Sequence, residues 1–171
     1  MKTVFITFFL PFFILLGCRK EDAESLLKSS IAKAHQGKFD EALVEMEKVV
    51  KLDPTPEHYV VMGDIYSAKH FFQAAIECYS KAIVLDSTYA DAYYKKAVDC
   101  MNVTVSQECL DTINKCISLD SSTARNYSIR AGIKSELGDL EGACNDGQKA
   151  IQLGDLTLKK QIEAICKNVN N

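Results

Sequence analysis

The chain is short of everything an enzyme or a metalloprotein would need. It has no Cys-x-x-Cys pair for zinc or thiol–disulfide exchange and no His-Glu-x-x-His. It has no Ser-His-Asp spacing and no glycine-rich phosphate loop; the one Gly-flanked segment, Gly138-Asp139-Leu140-Glu141-Gly142, has the composition of a turn between helices. Its three histidines, His35, His58 and His70, are scattered, and none has a second ligand four residues on. The carboxylates, such as Glu41 and Glu45, Glu108 and Asp111, and Asp139 and Glu141, are spread over helix faces and ends, as charges that complement helix N-termini or face solvent rather than as an acid/base pair. No metal site, cofactor or catalytic residue is therefore expected. Twenty basic against 23 acidic side chains exclude the cationic surface that nucleic acid requires. No Pro/Gly/Ser-rich linker divides the chain, so one domain is expected.

Long hydrophobic runs are also missing, with one exception at the start. Val4 to Leu16 (VFITFFLPFFILL) follows Met1-Lys2-Thr3 and is uncharged. It falls short of the roughly 20 residues that cross a bilayer, and Pro11 interrupts it. A basic start, a short apolar core and a small residue at its end make a secretory signal. Leu15-Leu16-Gly17-Cys18 resembles the lipobox of bacterial lipoproteins. That resemblance implies removal of 1–17 and acylation of Cys18, which then carries a tether over 18–22 and holds the protein to a membrane. Arg19 stands where Asp would signal inner-membrane retention, which favours the outer membrane, at its periplasmic or surface face. Lys20-Glu21-Asp22 is similar to the charged export signals of Bacteroidetes surface lipoproteins.

The rest of the chain repeats. Lys48, Lys81, Lys115 and Lys149 recur every 33 or 34 residues, followed each time by Val49-Val50, Ala82-Ile83, Cys116-Ile117 and Ala150-Ile151. Leu52, Leu85, Leu119 and Leu153 keep the same period, as do Ala42, Ala75, Cys109 and Ala143 upstream. Tyr59, Tyr93 and Tyr127 precede Gly63, Ala97 and Ala131 by four residues. Such a period, with helical spacing inside each unit, predicts stacked helix pairs. The small residues let paired helices approach closely, and the larger ones fill the space between units.

These columns resemble the tetratricopeptide repeat. The second unit fits best, with Tyr59, Met62-Gly63, Tyr66, Ala75, Tyr79 and Ala82. The first departs most, with Ser29, Ser30 and Lys33 where the repeat has apolar, small and aromatic residues. The resemblance implies an all-α fold, a right-handed superhelical solenoid of about four units over residues 23–56, 57–89, 90–123 and 124–156. Leu158, Ile162, Ile165 and Cys166 lie on one face of a predicted capping helix over 157–168.

Family resemblance also implies where a partner would bind. Outward positions of the first helices map to Leu27 and Ile31, to Val60, Asp64 and Ser67, to Tyr94, Val98, Met101 and Asn102, and to Ser128, Gly132 and Ser135. The middle of this surface is apolar and suits an extended or helical protein segment. The alternative is that Tyr94 and Val98 pack against a neighbouring helix or another copy. The Lys/Asn/Arg carboxylate clamp of chaperone-binding members is absent, its places taken by Val60, Asp64, Tyr94 and Val98. The expected function is a non-enzymatic, membrane-anchored scaffold or adaptor in a cell-envelope complex. A surface lipoprotein that binds a small ligand or a cell-wall fragment is the alternative.

Cysteine admits two readings. Cys109 and Cys116 stand in the small-residue columns, and Cys100 takes the place of Tyr66, which suits small buried hydrophobes. In an exported protein they could instead form disulfides, Cys100 with Cys109 across a turn, and Cys144 with Cys166 on the cap. Sequence leaves this open, and it leaves open a homo-oligomer that completes the core of the weak first unit.

Overall fold

A computed structural model describes the backbone of residues 10–169 and the side chains of 21–169. The signal segment's first nine residues and the side chain of Cys18 lie outside the described residues.

The described residues form nine helices and no strand: α1 Leu10–His35, α2 Phe39–Leu52, α3 Pro56–Ala68, α4 Phe72–Leu85, α5 Ala90–Val103, α6 Gln107–Leu119, α7 Ala124–Glu136, α8 Leu140–Gln152 and α9 Lys159–Val169. From α1 to α8 each odd helix pairs with the next even one, each pair packs on its neighbours in chain order, and α9 packs on α8. Residues 18–22, expected as a tether, have helical backbone within α1.

Local sequence explains where the helices stop and start. Thr55 caps α3 by accepting from the His58 N–H at 3.2 Å, with Pro56 in the first turn. Asp139 caps α8 through the Gly142 N–H at 2.9 Å. Three of the four turns within pairs use a left-handed residue, Gly37, His70 and Gly138. The third does not: Thr104 is extended there, and the turn is spanned by a disulfide from Cys100 to Cys109 with Cα atoms 5.8 Å apart.

The repeating small residues are the contact points. Ala42, Ala75, Cys109 and Ala143 are fully buried, as are Val49 and Ala82, with Cys116 and Ala150 nearly so. A Cβ at Gly63 would run into the Tyr79 ring, so glycine is what lets α3 lie against α4. The irregular first unit pairs just as closely. Ser30, completely buried, donates to the Ala42 carbonyl at 2.9 Å, and Lys33 reaches Glu45 at 2.8 Å. In the last unit Asp146 takes two hydrogen bonds from Arg130, at 2.6 and 2.7 Å, and one from Lys134 at 2.8 Å. Burial pushes the Asp146 carboxyl up, but these bonds outweigh it and hold it below the usual range. Helix α9 closes the array. Ile162 sits over Gly147, where any Cβ would collide with it, and Cys166 is bonded to Cys144 of α8 with Cα atoms 5.1 Å apart.

Candidate binding groove

The odd helices line one face of the array, and the structure places the predicted groove residues on or beside it unevenly. Val60 is a correction: it is buried among Ala75, Tyr79, Ala82 and Ala92 and has no surface to offer. Successive helical residues point about 100° apart, so its neighbour Val61 takes the groove position instead. Ser128 is a second correction, since it is buried and donates to the Asp155 carboxylate at 2.5 Å.

Most of the others are held by contacts within or between units. Asp64 accepts from the Tyr79 hydroxyl at 3.0 Å and from Lys95 at 2.8 Å. Burial, with the Asp64 charge next, pushes the Tyr79 hydroxyl's pKa up. Ser67 donates to Asp99 at 2.9 Å. Tyr94 lies 4.4 Å beneath the Arg125 guanidinium, a cation–π contact that covers the ring. Met101 lies against Gly132, leaving 3.2 Å to a Cβ built there. Val98 is half-buried, and exposed Asn102 donates back to the Val98 carbonyl at 3.2 Å.

Open space lies at the other end of this face. A cleft of about 350 Å³ opens between α1 and α3, walled by Ile31, Ala34, Phe39, Val61, Ile65 and Ala68, with Asp64 and His35 at its rim. Ile31 and Asp64 were legible in the sequence as groove residues. Ala34, Phe39, Val61 and Ala68 were not, although Ala34 carries a signal: it stands where the third unit has Met101. The short side chain leaves the cleft, and the long one fills the matching place.

The cysteines sort by position. Cys100, Cys109, Cys144 and Cys166 form the two disulfides, while Cys78 and Cys116 are buried free thiols. Burial pushes both thiols up to about 11, which leaves them protonated and unreactive at neutral pH. No group of three or more His, Cys, Asp or Glu side chains among the described residues is placed to hold a metal.

Family profiles for the tetratricopeptide repeat match residues 23–56, and for the TPR repeat residues 63–98. Over these two stretches the helix pairs are similar to tetratricopeptide repeats. A crystal structure of MamA superposes with a TM-score of 0.73 at 26% identity, covering 85% of each chain. MamA from Desulfovibrio magneticus RS-1 gives 0.79 at 18% identity, covering 87% of this chain and 86% of that one. The first TPR of Spaghetti, bound to an HSP90 peptide, gives 0.66 at 18% identity, covering 69% and 95%. Among curated proteins, the DnaJ homolog subfamily C member 7 homolog of Schizosaccharomyces pombe is 23% identical over 170 residues, and DnaJ homolog subfamily C member 7 of Mus musculus 28% over 114. The matches cover 88% and 67% of this chain but only 36% and 23% of those proteins. Over the described residues the fold is all-helical, like these structural neighbours.

Proposed function

We propose that the protein is a non-enzymatic scaffold of the cell envelope, anchored through lipid on Cys18, that holds a segment of a partner protein in the cleft between α1 and α3. The observation that carries this reading is the cleft itself, apolar and open on the face where the repeat otherwise packs shut. An apolar side chain or short helix from a partner would bury its surface there. Two disulfides support the exported location, since such bonds persist outside reducing compartments. The lipobox-like Leu15-Leu16-Gly17-Cys18 supports the anchor, and Arg19 supports the outer membrane.

The test is affinity capture from detergent-extracted membranes with the tagged full chain. Ala34→Met fills the cleft with the side chain found at 101, and Val61→Asp places a charge in its wall. A stoichiometric partner of the natural chain should be lost at least about tenfold with either variant, the size of effect seen at interface centres. Undiminished capture by both folded variants, or a natural chain that captures no stoichiometric partner, would overturn the proposal.

A further inference from the structure

The anchor and the folded body are joined without slack. Helix α1 is unbroken from Leu10 to His35, and Ala23, 1% exposed, is already packed in the core. Cys18 precedes it by five residues, about 7.5 Å at 1.5 Å per helical residue. A lipid on Cys18 would therefore hold the first repeat through a short rod rather than a flexible strand. Only residues 36–38 connect α1 to α2, and the two helices pack side by side, so α2 runs back along α1 and its last turn lies toward the anchored end. The start of α3 and the last turn of α4 share that end of the array.

That end carries an exposed patch that the partner groove does not use. Pro54, Tyr59, Ser80, Lys81, Val84 and Leu85 line a depression of about 320 Å³. Val84 is 85% exposed and Leu85 49%. The Lys81 ammonium lies 5.8 Å from the Tyr59 ring centre, and exposed Lys51 stands in the last turn of α2. Among the described residues neither lysine has an ion pair, whereas the carboxylate of Asp86 is turned onto Thr88, and Asp53 faces His58. Aliphatic tips, a tyrosine and unpaired lysines are what the bilayer interface accepts: apolar atoms enter between headgroups and ammoniums meet phosphates.

We propose that this patch lies on the bilayer that holds the acyl chains of Cys18, so that the array stands with its first two repeats on the lipid surface. This rests on the lipid-anchor reading above. It sets the orientation of the scaffold, because the cleft between α1 and α3 then opens at a fixed height above the membrane.

The chain has no tryptophan, so one introduced tryptophan reports its own surroundings. The full acylated chain would be reconstituted in phosphatidylethanolamine/phosphatidylglycerol vesicles as V84W and, on the opposite end of the helix pairs, as V103W. V84W should emit to the blue and lose about half of its emission to brominated lipid, as for residues within the headgroup boundary, while V103W should be unquenched. Acylated protein on vesicles with V84W no more quenched than V103W would overturn the patch and leave the anchor standing. So would V84W shielded only as protein concentration rises, which would mark a protein contact. A full chain produced in a bacterium that processes lipoproteins, and found by mass spectrometry to carry no acyl group on Cys18, would overturn the anchor, and the patch with it.

Discussion

Units one and two keep about 350 Å³ of open space between their first helices, whereas units three and four close the matching place. In the first half Ala34 faces the Asp64 region; in the second, two repeats on, Met101 reaches across to Gly132. Arg125 covers Tyr94 and Ser128 is tied to Asp155 in the second half alone. Both disulfides fall there too, and the first half has none among the described residues. One repeat pattern thus gives two kinds of half: one that keeps an open cleft and one that is cross-linked and filled. Side-chain size at equivalent positions makes the difference, since the helix pairs share one sequence period and nearly one length.

Removing the disulfides should break this contrast most. By loop-closure entropy, the 22-residue separation of Cys144 and Cys166 contributes about 3.5 kcal/mol and the 9-residue separation of Cys100 and Cys109 about 2.5. Cys144→Ser with Cys166→Ser should lower the urea midpoint more than Cys100→Ser with Cys109→Ser. In both, hydrogen exchange should quicken in α5–α9 and stay unchanged in α1 and α2. Equal exchange across the chain would show that the halves are not separate in stability.

Asp99 sharpens the seam between the halves. It is 3% exposed, and its Oδ2 has no hydrogen-bond partner. Burial raises its carboxyl pKa from 3.8, opposed by the Ser67 hydrogen bond and aided by the Asp64 charge. A raised folded pKa means that the native state binds the proton more tightly than the unfolded chain. Stability from this group is therefore fully present below the unfolded value of about 3.8 and is lost as pH rises through the folded one. Asp99→Asn should raise stability at pH 7 by about 1 kcal/mol and flatten that part of the stability–pH profile, read by urea unfolding at several pH values. An unchanged profile would assign the slope to other carboxylates.

The smallest effect lies in the turns. His70, with φ of 63°, occupies the left-handed place that Gly37 and Gly138 fill elsewhere. His70→Gly should stabilise by about 0.5–1 kcal/mol, less than the full strain because glycine also loosens the unfolded chain. A melting temperature that drops instead would mean that the edge-on contact of His70 with Phe72 outweighs the strain.

The repeat, the helix pairs and the cap were legible because packing imposes a period. A residue in the Ala42 or Ala75 column must be small whichever unit it serves, and that constraint is written directly into the chain. The groove was read less well. Val60 and Val61 are alike in chemistry and adjacent, and about 100° of helical rotation decides which is core and which is wall. Ser128 reads as a surface hydroxyl until Asp155, 27 residues on, is brought against it.

Sequence by itself determined the architecture, the absence of any catalytic motif and the lipobox-like segment around Cys18, since each rests on local spacing. Tertiary structure alone decided where the concave face stays open, which cysteines meet and how little chain separates Cys18 from the core. These depend on distances between units, and no single repeat contains both partners of a contact that forms when two repeats stack.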